Sequence, residues 1–329
     1  MNKAGYLRFA EEVWDILVQV RQSVNYIAKN SCYQLCVFDT VVKTAYITSE
    51  KSHVVSSFTN NKKEVYMADI EKWAEVGKEL TSLLRLKTPP LAIKMAKTSA
   101  DFPERTRFPS QHLGQKALIC QAVSMAGIYG WTVGMKASDC VICPGPVIFG
   151  LGRLKDEKDL ANYWAKHLPF FETPEAAQTL LSSVGRLKPR EYVGIVMSPL
   201  EWTRVIPDVV MVHCNPAQIM RLIHAWIYKE GKMLNTSQGA ILATCQGIIS
   251  PLLTGQPQAL MPGVGDRVAG GLQDDEVIFS FPAAQTERIM DGLKVRPNSI
   301  RYPVPISSLR VPGLVPYRDI EDRFEMFES

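Results

Sequence analysis

The stretch from Pro207 to Leu222, PDVVMVHCNPAQIMRL, changes its period half-way along. Val209 to His213 is short, β-branched and bounded by Pro207-Asp208, which reads as a core strand. Asn215-Pro216 then opens a helix over 216–230, with Ile219, Leu222, Ile223, Trp226 and Ile227 along one side. Cys214 stands at the join. Ligands of sheet proteins tend to sit at such strand ends, near helix N-termini.

The same alternation runs outward on both sides. Tyr192 to Met197 and Val277 to Phe281 read as further strands, and Leu91 to Met95 as another behind Thr88-Pro89-Pro90. Helices are expected over 69–86, 114–129, 156–167, 174–184 and 282–293, with a short one over 248–254. Asp69 and Thr173 are N-cap residues for two of them. The Gly-rich run from Asn235 to Gly271 is otherwise irregular, and Pro262 to Arg267 reads as a flexible turn. The pattern predicts an α/β (mixed α+β) fold: one domain with a central mixed sheet flanked by helices.

Residues 1–66 have a different texture. None of the 21 prolines falls there, and Thr59 to Glu64 is a polar run. Tyr6 to Ala28 fits one amphipathic helix and Gln34 to Thr48 a strand pair. Met67-Ala68-Asp69 nevertheless reads as a natural start. Residues 1–66 are therefore expected to be a mis-called start or a poorly ordered extension, 67–296 the α/β domain, and 297–329 an extended, Pro-rich C-terminal arm.

A hydrophobic share of 46% with 21% charged residues is that of a globular protein. The formal charge of +4 comes without a basic block, so nucleic acid is not expected. No run approaches the length of a membrane span, and Glu11, Glu12 and Asp15 interrupt any secretory signal core. Seven cysteines without such a signal point to the cytoplasm, as thiols or metal ligands.

The chemistry gathers at Ser138 to Gly152, SDCVICPGPVIFGLG. Cys140 and Cys143 form a Cys-x-x-Cys pair, and Pro144-Gly145-Pro146 stiffens the backbone behind the second. Cys120 lies upstream in an apolar helix; Cys214 and Cys245 lie downstream. Gly263-x-Gly265-Asp266-Arg267 is a second candidate: glycine N–H groups and an arginine fork suit a carboxylate or phosphate. An ordinary surface turn explains the same residues. His213 sits in a core strand, where a buried, hydrogen-bonded role is expected. No Gly-x-Ser-x-Gly elbow, P-loop or His-Glu-x-x-His motif is present.

From about Met67 to Leu293 the chain resembles the domain of unknown function 169 family, also called ArCR. The likeness rests on the opening helix with LLRLKTPPLAIK, the Cys120 helix, and Cys143-Pro-Gly-Pro followed by Leu151-Gly152. PDVVMVHCNPAQIMRL, Cys245, and Gly265-Asp266-Arg267 ahead of Asp275-Glu276 complete it. The resemblance implies an architecture and a cysteine set, Cys120, Cys143 and Cys245, rather than a reaction; Cys140 and Cys214 are less typical of the family pattern.

Three readings of the cysteines stay open. The first is an iron–sulfur cluster on Cys120, Cys143 and Cys245, with Cys214 or Cys140 as a fourth ligand, or zinc on the same thiolates. The second is inert buried thiols, since free cysteine is among the most buried residue types. The third is a redox pair at Cys140 and Cys143. The matching functions are a metalloprotein of redox or anaerobic metabolism, a binding or sensing protein for a small anionic molecule, and a structural or assembly module. A small molecule or a redox partner protein is the expected partner, with homo-oligomers left open.

Overall fold

The computed structural model describes residues 67–141, 143–153 and 156–295. The helix and strand pair expected within 1–66, and the arm over 297–329, lie outside the described residues.

Helix α1 covers 67–84. Pro89-Pro90 cannot continue it, and β1 (Leu91–Ala96) follows. Then come α2 (Pro109–His112), α3 (Ile119–Tyr129), β2 (Val133–Met135) and α4 (Gly145–Ile148). Two outer helices, α5 (Glu157–Lys166) and α6 (Pro174–Ser183), lead to β3 (Gly194–Pro199) and β4 (Val209–Cys214). The chain closes with α7 (Pro216–Ile227), α8 (Ala243–Thr254), β5 (Gln258–Leu260), α9 (Val264–Val268), β6 (Val277–Pro282) and α10 (Thr286–Lys294).

The six strands form one sheet in the order β2-β3-β1-β4-β6-β5. Ile93 of β1 stands opposite Met197 of β3 on one side and Val209 of β4 on the other. The central sheet with flanking helices is as expected, and its ladders narrow the expected mixed pairing: all of those between these strands run antiparallel. The connections β2–β3 and β5–β6 return the chain to the end of the sheet it left, whereas β1–β2, β3–β4 and β4–β5 join strands that run the same way and so cross to its other end. Cys214, the last residue of β4, pairs with Val277, the first of β6.

Both faces of the sheet are covered, which is why β3 and β4 are buried at every residue and do not alternate with exposed positions. Alternation along β4 still sorts its side chains. Val209 and Met211 pack with Ile119, Val123, Ile248 and Ile249 of α3 and α8. Val210, Val212 and Cys214 pack against Leu80, Leu84, Leu222, Trp226 and Ile289 of α1, α7 and α10. Fully burying one such Leu, Ile or Val side chain stabilises by about 1.5–3 kcal/mol, so each layer contributes many of these increments. The α5–α6 pair buries Leu160, Trp164 and Leu181 in a smaller core of its own.

Caps fix the joins. Asn215 and Gln218 cap α7 reciprocally, Asn215 Oδ1 accepting from the Gln218 N–H at 2.9 Å and Gln218 Oε1 from the Asn215 N–H at 2.7 Å. The Gln218 amide also donates to the Leu84 and Arg85 carbonyls, tying the start of α7 to the end of α1. No helix among the described residues is long and apolar enough to cross a membrane.

Two local expectations change. Helix α8 begins at Ala243, not 248, and so carries Thr244 and Cys245 in its first turn. The turn expected over 262–267 contains the short helix α9. Small residues hide both: Ala243, Gly247, Gly263 and Gly265 leave no apolar period to read, yet they permit close packing. A Cβ on Gly247 would stand 3.1 Å from Met211 Cε and 3.3 Å from Ser280 Oγ, so α8 lies directly on the sheet. The short strands β2 and β5, at the two edges, carry no signal in the sequence either.

Candidate functional site

The layer made by α3, α4, α8 and α9 collects acidic and sulfur-bearing side chains in first helical turns. Cys120 is the second residue of α3, Cys245 the third of α8 and Asp266 the third of α9. Cys143 comes two residues before α4, where Pro144 and Pro146 hold the turn. Backbone hydrogen bonds lace these entrances together. Ala117 donates to the Asp139 carbonyl at 2.9 Å and Val141 to the Ala117 carbonyl at 3.1 Å, which fixes the cysteine turn beside the start of α3. Val264 donates to the Ala240 carbonyl at 3.1 Å, bringing α9 to the entrance of α8.

Glycine makes room for the sulfurs. A Cβ on Gly145 would stand 3.3 Å from Cys143 Sγ and 3.7 Å from Cys245 Sγ, so both sulfurs border the space over that glycine. A Cβ on Gly265 would stand 3.6 Å from Cys120 Sγ. The five cysteines among the described residues are free thiols.

Their electrostatics tie them together. Burial, with the Asp266 carboxylate and Cys143 adding to it, pushes Cys120 up to about 12. Cys245 rises well above the usual thiol value, from burial first and then from Cys143, Cys120, Asp266 and Cys140. Cys143 is raised by burial, while backbone N–H groups of Gly145 and Ile119 pull the other way. Burial thus raises all three thiols, and the acids beside Cys120 and Cys245 raise those two further.

A family model described as uncharacterised ArCR, domain of unknown function 169, matches residues 79–292. The chain belongs to this family. An uncharacterized protein of Methanocaldococcus jannaschii is 23% identical over 227 residues, which are 69% of this chain and 95% of that protein. No solved structure matches. In this ArCR-family chain every candidate side chain from Cys120 to Arg267 falls inside the matched region.

The sequence-predicted residues divide sharply. Cys120, Cys143 and Cys245 share one layer. Cys140 lies in the same layer, and its thiol donates to the Lys136 carbonyl at 3.3 Å. Burial first, then Cys143 and Asp139, push it up to about 12. Cys214 lies on the opposite face of the sheet, among Leu222, Trp226 and Phe279, and burial raises its thiol too. The sheet itself therefore separates Cys214 from the other sulfurs. No group of three or more His, Cys, Asp or Glu side chains among the described residues is set to hold a single metal ion.

The Gly265-Asp266-Arg267 segment is not an open anion fork. Asp266 is buried; it accepts from the Thr244 hydroxyl and, at 2.8 Å, from the Gly263 N–H. Arg267 turns away, donating to the Gln273 carbonyl and facing Asp274 at 3.9 Å. What this segment contributes is a buried carboxylate next to Gly265, whose Cβ position stands 3.6 Å from Cys120 Sγ.

Thr244 and the orientation of His213 escaped the sequence. Thr244 is signalled only by its place next to Cys245. His213 is buried as expected, but its Nε2 has no hydrogen-bond partner. Burial lowers it to about 4, with the Asp266 carboxylate opposing the shift.

Proposed function

We propose that this ArCR-family protein is a cysteine-ligated metalloprotein, an iron–sulfur protein of redox metabolism, with Cys120, Cys143 and Cys245 as its thiolate ligands. The observation that carries this reading is that the Cys143 and Cys245 sulfurs both border the one point a Cβ on Gly145 would fill, with Cys120 interacting electrostatically with each of them. Buried thiols that resist ionisation on their own become stable as thiolates once a soft cation replaces their protons. Backbone N–H groups already directed at Cys143 favour its thiolate form.

The donor set fits a cluster better than a single zinc. Zinc needs every sulfur about 2.3 Å from one point. A cluster spreads its thiolates over several irons, so the sulfurs need not close on one atom. A bound cluster supplies one-electron transfer; the chain supplies a dry, sulfur-rich wall and a short carboxylate partner in Asp266. Cys140, hydrogen-bonded to the Lys136 carbonyl, flanks the turn without being needed as a ligand.

The test is metal analysis with a visible spectrum on full-length protein purified without oxygen. Iron and sulfide in stoichiometric amount, with a broad band that disappears in Cys143→Ala, support the reading. Zinc alone redirects it to a structural or hydrolytic centre. Colourless, metal-free and stable protein removes it in favour of an anion-binding or assembly role.

A further inference from the structure

Three thiolates leave one position of a cluster without a sulfur, and the sheet beneath the cysteines offers one unclaimed donor. His213 follows Val209 and Met211 in the two-residue alternation of β4 and therefore points to the α8 layer, not to the layer of Cys214. It is 8% exposed, and Nε2 makes no hydrogen bond. Buried side-chain polar atoms are nearly always paired, and leaving one unpaired costs about 1–3 kcal/mol. An orphan nitrogen in a sulfur-lined layer asks for a partner.

Helix α8 lies on the sheet face that His213 shares: a Cβ on Gly247, two residues past Cys245, would stand 3.1 Å from Met211 Cε and 3.3 Å from Ser280 Oγ. The buried Asp266 carboxylate acts electrostatically on His213, Cys120 and Cys245 alike. Asp266 itself is committed, holding the Thr244 hydroxyl and the Gly263 N–H. Ser280 stands on the same face of β6, one diagonal step from His213, and its hydroxyl is also unpaired, so no side chain there satisfies the ring. Imidazole is a borderline donor that binds iron through an unprotonated nitrogen, and in mixed-ligand clusters it takes the place of thiolate on one iron.

We propose that His213 is the non-thiolate ligand of the centre, bound through Nε2, so that the cluster is held by three cysteines and one histidine. The proposal rests on the iron–sulfur reading above.

The experiment is pulsed EPR on the full chain, loaded with ferrous iron and sulfide without oxygen and reduced with dithionite. The expected result is a nitrogen hyperfine coupling that changes isotope signature when histidine is supplied with 15N. It should vanish in His213→Gln while iron per chain stays within about twofold, and persist when His53, His112, His167 and His224 are replaced singly. If His213→Gln does not fold, the labelled protein with the four other substitutions still assigns the ligand. Iron without histidine coupling, or coupling indifferent to His213, overturns this proposal and leaves the three-cysteine reading standing. Protein that takes up no iron removes both.

Discussion

Cys143 and Cys245 belong to segments about a hundred residues apart, yet their sulfurs stand 3.3 and 3.7 Å from the one point that a side chain on Gly145 would fill. That point is also 2.9 Å from Ile119 Cγ1, at the start of the Cys120 helix. Gly145 is therefore a spacer between three elements, and its φ is not in the left-handed region. Its small size is what matters.

Gly145→Ala should fold but bind less metal. Overpacking of this kind typically costs about 1–3 kcal/mol, partly relieved if the sulfurs move apart. Iron per chain, measured beside the urea midpoint, should fall at least severalfold while the protein remains cooperative. Unchanged iron in a destabilised variant would show that the glycine serves packing alone.

Asp266 predicts a second result. It is buried with two donors, one of them the Thr244 hydroxyl, so it links the first turns of α8 and α9. Thr244→Val keeps the shape of the side chain and removes the donor, leaving a buried carboxylate short of a partner. The expected loss is about 1–3 kcal/mol by chemical denaturation. Thr244→Ser restores the donor and should recover most of it. Equal stabilities for the Val and Ser variants would sink the linkage.

The cysteines differ in kind, and single substitutions should sort them. Cys214→Ala removes a thiol from the α1–α7–α10 layer. A cost of about 1 kcal/mol, common for point substitutions, with metal content unchanged is expected. Cys120→Ala, Cys143→Ala and Cys245→Ala should each lose the metal. Loss of metal in Cys214→Ala with retention in Cys143→Ala would reverse the assignment.

Much of this was readable in the chain. The strand at Val209 and the helix opened by Asn215-Pro216 follow from β-branched composition and capping chemistry, and both form where expected. The cysteine set came from the family likeness, because spacing alone cannot tell which faces of a sheet the sulfurs occupy. Cys214 illustrates the limit: one residue along β4 moves a side chain to the other layer. The entrance to α8 was hidden for a different reason. Leu242 adopts φ 66°, and Ala243, Thr244 and Gly247 bear no apolar stripe, since that helix is pressed against neighbours on several sides. The approach of Gly265 and Asp266 to the cysteine layer depends on the backbone contact between Val264 and Ala240, which no local pattern encodes.

His213 gives the metal-free protein a defined acid sensitivity. Burial lowers its pKa from 6.5 to about 4, with Asp266 acting in the opposite direction. The folded chain thus keeps the imidazole neutral over a range in which the unfolded chain takes up a proton. Stability is unaffected by this group above about pH 6.5, falls as the pH drops from there toward 4, and loses nothing more below it. The full shift corresponds to about 3 kcal/mol. Urea unfolding of metal-free protein at pH 7 and pH 4.5 should show most of that loss, and His213→Gln, which cannot take up the proton in either state, should lack it. A loss of the same size in both proteins would assign the acid sensitivity to other groups and show that the imidazole is not held neutral in the fold.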